Sequence, residues 1–329
     1  MAAPEERALD RHLRPASLEE FCGQPDVVRN LELAIRAARE RGEAVDHLLF
    51  SGLPGLGKTT LAHLVAHESG ATLYEASAPT LQRAADLAGL LTRLEVRDVL
   101  FIDEIHRLAP AVEEYLYSAM EDFALDILLD QGPSARSVRI DLPRFTLVGA
   151  TTREGLLSAP LRSRFGIHER LEPYDPATLT RILDRSAGIL GVGLDPQAAA
   201  YLAARSRGTP RVANRFLRRV RDLAQLESDN HIDLDVAQEG LTRIGVDAHG
   251  LTRVDRLIVT TIGRADGRAL GIKTIAAAVG EDERTIEDVY EPHLLREGFL
   301  VKTRQGRQLT NAGWALLGED GRAPGALFA

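Results

Sequence analysis

Two short stretches of this chain carry residues that could do chemistry together. They are Gly52-Leu53-Pro54-Gly55-Leu56-Gly57-Lys58-Thr59-Thr60 and, further along, Val99-Leu100-Phe101-Ile102-Asp103-Glu104. The first matches G-x-x-x-x-G-K-[ST], a loop that cradles phosphates. Its glycines let backbone N–H groups approach phosphate oxygens, and a helix N-terminus adds a favourable dipole. In this reading Gly55, Gly57, Lys58, Thr59 and Thr60 bind a nucleoside triphosphate. Lys58 reaches the β- and γ-phosphates, and the Thr59 hydroxyl ligates Mg²⁺. The second stretch is apolar and ends in two carboxylates. Asp103 would hold the metal through water, and Glu104 would polarise the attacking water. Either string alone has a bland reading, as a glycine turn or a solvated strand end. Together, in this order, they describe an NTPase.

These residues need a strand–loop–helix to position them. His47-Leu48-Leu49-Phe50 reads as the strand, and Leu61, Leu64 and Val65 mark the helix. A further helix is expected over 26–41, and strands over 71–77, Val99–Asp103 and 146–152. Alternation of this kind gives α/β layers around a parallel sheet, with acids delivered at the C-terminal edge. A hairpin, about 123–142, interrupts the rhythm. Its arms are 123–129 and 137–142, joined by turn residues 130–135. The first arm is apolar, with Phe123, Leu125 and Ile127. Such an arm either folds back on the core or protrudes as a partner site.

Residues 1–172 therefore read as the nucleotide-binding domain. From 173 to 244 the pattern is wholly helical, with Pro176, Pro196 and Pro210 near helix starts. Residues 245–318 read as a winged helix. Helices are expected over 253–262, 272–279 and 283–297, followed by a two-strand ribbon carrying Lys302, Arg304 and Arg307 without intervening acids. These three would grip duplex phosphates irrespective of sequence. Residues 319–329 are expected to form a flexible tail.

The chain has 329 residues and a net charge of −8, which is not the bulk signature of a nucleic-acid binder. Basic clusters still act locally. The single cysteine, Cys22, forbids an internal disulfide. No signal peptide and no membrane-spanning run is evident, which points to the cytoplasm.

Further strings occur in order: Leu13-Arg14-Pro15, Ile105-His106-Arg107-Leu108 after the acid pair, Ala119-Met120-Glu121-Asp122-Phe123, Gly149-Ala150-Thr151-Thr152-Arg153, Ser163-Arg164-Phe165-Gly166 and Gly208-Thr209-Pro210-Arg211. The ensemble closely resembles the RuvB family of AAA+ ATPases, over roughly residues 13–318. The resemblance implies an AAA+ P-loop NTPase domain, a helical lid domain and a C-terminal winged-helix domain. It implies an ATP- and Mg²⁺-dependent homohexameric ring that drives duplex DNA and migrates Holliday junctions, with a RuvA-like junction-binding protein and a RuvC-like resolvase. Arg164 matches an arginine finger serving the adjacent subunit. Thr151 matches the first sensor and Arg211 the second. Leu13, Arg14 and Tyr174 match positions that frame the nucleotide, and Glu121, Asp122 and Phe123 fall in a segment associated with it. The hairpin, with Leu125 and Ile127, matches the arm that docks on the RuvA-like partner.

Departures exist. Ser51-Gly52-Leu53-Pro54 stands where the family usually carries Gly-Pro-Pro at 52–54. The wing reads Lys302-Thr303-Arg304-Gln305-Gly306-Arg307 rather than Arg-Thr-Pro-Arg-Gly-Arg, which leaves the individual DNA contacts open. His106 either helps to signal the γ-phosphate state or is structural. His63 and His67 read as helix-face histidines rather than a metal pair. Two rival functions stay open: a clamp-loader-like switch, and a winged-helix regulator whose P-loop only senses nucleotide.

Overall fold

The computed structural model describes residues 12–128 and 137–318; at 127, 128 and 137 it describes the backbone alone. The expectations for the hairpin turn at 130–135, for the tail at 319–329 and for Ile127's side chain lie outside the described residues. The chain divides into two compact units, one ending at Tyr174 and the other beginning at Asp175.

The first unit is built on a parallel sheet of five strands: β1 (Leu48–Ser51), β2 (Leu73–Ser77), β3 (Val99–Asp103), β6 (Thr146–Thr151) and β7 (Ile167–Arg170). Their order is β2-β3-β6-β1-β7, with every pairing parallel. β1 and β6 are buried at every position, and β3 at all but Asp103. Continuous apolar strands of this kind belong to a sheet covered on both faces. Because β3, β6 and β1 are adjacent, the loops that follow them leave from one edge. That edge receives the P-loop, the acid pair and Thr151.

Helix α1 (Pro25–Arg41) and helix α2 (Lys58–Ser69) flank the sheet, each ended by a left-handed glycine, Gly42 and Gly70. Helix α3 (Pro110–Glu121) leads into the hairpin of β4 (Ala124–Leu128) and β5 (Ser137–Asp141), paired Leu125↔Ile140 and Ile127↔Val138. The root of the hairpin folds back on the core. Leu125 is fully buried, in one cluster with Leu116, Met120, Leu142 and Phe145. Phe123 meets Phe145 edge-on at 5.9 Å. The protruding-arm expectation is therefore corrected at Leu125, whose alternation places it inward against α3. Val138, further out, is exposed.

The second unit begins with four helices: α4 (Pro176–Leu190), α5 (Pro196–Arg205), α6 (Pro210–Glu227) and α7 (Leu234–Arg243). A short parallel pair, Gly193–Leu194 with His231–Ile232, joins them. The wholly helical expectation omitted it, because two residues leave no periodic signal. The winged helix follows, with α8 (Arg253–Gly263) and α9 (Ile272–Val279). The helix expected over 283–297 is broken into Glu283–Thr285, a π-helical stretch Ile286–Tyr290, and α10 (Glu291–Arg296). Pro292 has no N–H for the preceding turn, so the helix widens ahead of it. The ribbon is β8 (Leu300–Thr303) against β9 (Gly306–Leu309). Its inner side packs with Ile258, Ile262, Ile275, Ile286 and Leu294.

Candidate active site

The loop after β1 wraps the start of α2. Gly52, Gly55 and Gly57 all have positive φ, at 138°, 81° and 109°. At Gly52 a Cβ would stand 2.6 Å from the Leu171 carbonyl oxygen, and at Gly57 3.2 Å from the Phe21 ring. Positive φ and these close approaches oppose a side chain at both places, and glycine there leaves the backbone open to a phosphate. The Lys58 ammonium donates to the carbonyls of Gly52 at 2.7 Å and Leu53 at 2.9 Å. Thr59 and Thr60 are half-buried beside it. The Tyr174 hydroxyl donates to the Leu56 carbonyl at 3.0 Å and fixes the loop from behind. Leu13 is buried and Arg14 half-buried in the lead-in segment.

At the end of β3, the Glu104 amide donates to the Asp103 carboxylate at 3.0 Å. Glu104 itself adopts a left-handed φ of 53°, which turns its side chain across the sheet edge. Burial, then the Asp103 charge, push its carboxyl above the usual glutamate value. The Thr152 hydroxyl donates to Glu104 at 3.3 Å, and His106 Nε2 lies 3.4 Å from the same carboxylate oxygen. The other ring nitrogen of His106 is 2.8 Å from the Thr151 hydroxyl, which also accepts the Arg153 amide at 3.0 Å. Thr151, fully buried, is thus tied through one imidazole to Glu104.

The residues fit a nucleotide with its metal. A glycine-lined cradle, an ammonium resting on carbonyls and two successive carboxylates share one edge. Among the described residues no cluster of three His, Cys, Asp or Glu could hold a metal by itself. A magnesium ion in this chemistry keeps water and phosphate ligands and needs few from protein. His63 faces Glu75 at 3.3 Å, in keeping with a helix-face histidine.

Arg164 lies elsewhere. β7 pairs with β1 as Leu48↔Ile167, so the segment before Ile167 meets the edge where β1 begins, whereas the P-loop follows the edge where β1 ends. His47, just before β1, is bonded to the Met120 carbonyl at 3.1 Å, which puts Glu121, Asp122 and Phe123 on that same starting edge. A four-residue strand is about 13 Å long. Glu121, Asp122, Phe123 and Arg164 therefore stand away from their own chain's P-loop, the placement expected of an arginine that serves the adjacent subunit. The Arg164 guanidinium donates to the Pro160 carbonyl at 2.8 Å and to Glu121 at 2.6 Å, and covers the Tyr117 ring at 4.6 Å. Sequence reasoning missed Phe21, Tyr117 and the Thr152 bond. Only Thr152, beside Thr151 at a strand end, carried a signal in its position. Arg211, exposed, is the second residue of α6 in the other unit.

The wing differs from its expectation. Lys302 and Arg307 face each other across the ribbon. Arg307 is buried and bonded to Glu291 at 2.9 Å and Glu287 at 3.0 Å. Lys302 approaches the same two carboxylates at 3.8 and 3.9 Å. The ribbon is acid-free in sequence but not in space, which removes Arg307 from the phosphate-gripping set. Arg304, at the turn, is exposed.

Residues 13–171 match the family described as Holliday junction DNA helicase RuvB P-loop domain, residues 174–247 the RuvB AAA lid domain, and residues 248–318 the RuvB C-terminal winged helix domain. The chain belongs to the RuvB family. The RuvB subunit of the Holliday junction branch migration complex of Myxococcus xanthus is 59% identical over 309 residues, spanning 94% of this chain and 90% of that one. Its counterpart in Flavobacterium psychrophilum is 53% identical, spanning 99% and 96%. Among solved structures, the Thermotoga maritima RuvB Holliday junction branch migration motor matches with a TM-score of 0.85 and 46% identity, over 93% of this chain and 98% of that one. Among the described residues no helix is long and apolar enough to cross a membrane.

Proposed function

We propose that the protein is an ATP-driven motor that migrates Holliday junctions along duplex arms as a homohexameric ring in the cytoplasm. The observation that carries this is the division of the catalytic parts between two sheet edges. Lys58, Asp103, Glu104 and Thr151 share one edge, and Arg164 stands on the other. A chain built this way needs a neighbour to complete its site, and a closed ring gives every site a neighbour.

The chain's own residues divide the work. The P-loop amides and Lys58 bind the phosphates of ATP. Thr59, and Asp103 through water, would hold Mg²⁺, which would supply neutralisation of phosphate charge. Glu104 orients and polarises the attacking water, helped by Thr152. His106 and Thr151 connect that carboxylate to the strand end facing the γ-phosphate. Arg164 of one subunit stabilises charge in the site of the next, a contribution of about 10³–10⁵ in rate. Arg211 reports nucleotide state to the helical lid. The winged helix grips duplex phosphates, with Arg304 in the leading position.

The hairpin docks a RuvA-like junction-binding protein through the part beyond Leu125, where Val138 offers apolar surface, and a RuvC-like resolvase acts on the migrated junction. The test is ATP turnover and strand migration on a synthetic four-way junction with a RuvA-like partner. Duplex-stimulated turnover with migration supports the reading. Turnover without any migration favours a switch, and duplex binding without turnover favours a regulator.

A further inference from the structure

The turn that precedes α6 contains an arginine in an unfavourable place. Arg207 adopts a φ of 57°, and Gly208 follows with a φ of 65°. A left-handed residue with a Cβ crowds the following carbonyl, a conformation glycine takes freely. The arginine stands there with its side chain almost wholly enclosed. Its guanidinium donates to the Gly250 carbonyl at 3.2 and 3.0 Å and to both oxygens of Asp255, at 3.3 and 2.5 Å. Asp255 is fully buried. It caps α8, accepting the Thr252 amide at 2.7 Å and the Thr252 hydroxyl at 2.5 Å. The backbone on either side is equally close. Gly250 has a φ of 74°, and a Cβ there would stand 2.9 Å from the Arg205 carbonyl oxygen.

Arg207 lies in the lid segment, and Gly250 and Asp255 lie in the winged-helix segment. The bidentate pair therefore joins the two domains at a desolvated point. The same turn continues through Thr209 and Pro210 directly into Arg211, the exposed second residue of α6. The turn is stiff in its own right: the Thr209 amide donates to the Ser206 carbonyl at 3.0 Å, and the Ser206 hydroxyl to the Leu202 carbonyl at 2.6 Å.

We propose that Arg207 is a positioning residue that, with Asp255, clamps the winged helix to the turn bearing Arg211, so that nucleotide state and grip on duplex DNA are energetically linked. The proposal rests on the reading of Arg211 as a nucleotide sensor and of the winged helix as the duplex-binding domain. A planar fork holding two carboxylate oxygens and a carbonyl fixes orientation as well as distance. Movement of the sensor turn then carries the cap of α8 with it. Linkage makes the effect reciprocal: bound nucleotide alters duplex affinity by the same factor that duplex alters nucleotide affinity.

The test uses the full chain as rings, with a fluorescent duplex titrated in Mg·ADP and in a non-hydrolysable Mg·ATP analogue. The unmodified protein is expected to show at least an about fivefold difference in duplex affinity between the two states. Arg207→Gly removes the fork while relieving the backbone. Because it leaves Asp255 unpaired, the decisive variant is Arg207→Gly with Asp255→Asn, which removes both charges and keeps an acceptor for Thr252. That variant is expected to keep basal ATP turnover and ring assembly, to lose the nucleotide dependence of duplex affinity, and to hydrolyse more ATP per base pair migrated. Arg207→Lys, which retains charge without the fork, should fall between. An undiminished affinity ratio in the double variant overturns the clamp, as does an unmodified protein with no nucleotide dependence at all. Loss of turnover together with lowered thermal stability makes the pair merely structural and also overturns it. Arg211→Ala is the separate control: unchanged turnover and an unchanged affinity ratio in that variant overturn the sensor reading and with it the linkage through this turn, whereas an undiminished ratio in the double variant beside an altered one in Arg211→Ala overturns the clamp alone.

Discussion

The role proposed for Glu104 rests on three local facts: the end of an apolar strand, a left-handed backbone and a neighbouring carboxylate. Replacing it with Gln keeps size and the Thr152 contact but removes the base. Glu104→Gln should bind ATP and assemble normally while turnover falls by about 10²–10⁴. Hydrolysis at the unmodified rate would remove Glu104 from the water-activating role. His106 holds Thr151 and Glu104 from opposite sides of one ring. His106→Ala should lower kcat by a smaller factor than Glu104→Gln, with KM for ATP little changed, because the carboxylate remains and only its orientation is lost. A larger effect on KM than on kcat would make His106 part of the binding surface instead. The P-loop and the acid pair were legible because their chemistry depends on residue types at fixed spacing along the chain. The imidazole bridge was not, since it depends on β3 and β6 being neighbours.

At the scale of elements, the sheet was legible and the charged ribbon was not. Strands such as Val99–Asp103 are announced by continuous apolar runs, and their burial follows from that composition. Whether a cation is available to a ligand depends on which acids another element brings to it. The π-helical stretch and α10 bring Glu287 and Glu291 onto Lys302 and Arg307. Arg307→Ala would strip Glu291, only 3% exposed, of its two guanidinium hydrogen bonds and leave only Lys302 at 3.9 Å beside it. Loss of one member of a buried pair costs about 3–5 kcal/mol, so this variant should lower the unfolding midpoint of the winged helix. Arg304→Ala should leave stability unchanged, weaken duplex binding equally on unrelated sequences, and reduce the salt slope by about one. A loss confined to one sequence would point to base reading. The hairpin teaches the same lesson. Leu125 looked like part of an exposed apolar arm, yet the turn at Phe123 sends it into the core, so Leu125→Ala should cost about 2–5 kcal/mol whether or not a partner is present.

At the scale of the whole molecule, two buried histidines link folding to pH. Burial and the nearby Arg207 and Arg296 charges lower the His293 imidazole to about 3. Burial also lowers His47, whose Nδ1 accepts the Leu147 amide at 2.9 Å. Both rings are neutral in the folded chain and take up protons only on unfolding between the ordinary value of 6.5 and their lowered values. Stability is therefore full above that value and declines as pH falls, by roughly 1.4 kcal/mol per unit for each ring. Urea midpoints at neutral pH and at pH about 5 should differ in this direction. His293→Gln should reduce the dependence, and an unaltered pH slope in that variant would show that His293 does not set it.

On the proposed reading, the separation of Arg164 from its own P-loop makes the assembled ring, not the chain, the catalytic unit. A subunit lacking Lys58 still presents Arg164, and a subunit lacking Arg164 still presents a complete P-loop with Asp103 and Glu104. Lys58→Ala and Arg164→Ala should each be inactive when they assemble alone, for different reasons. Mixed in one ring, every Arg164→Ala subunit that receives the finger of a Lys58→Ala neighbour regains a full set of groups. ATP turnover should therefore appear on mixing two inactive preparations, once native mass spectrometry confirms mixed rings. Groups acting within one chain could not complement one another in this way, because each chain would still lack its own. Continued inactivity in confirmed mixed rings would return Arg164 to the structural role that its bonds to Pro160 and Glu121 already describe.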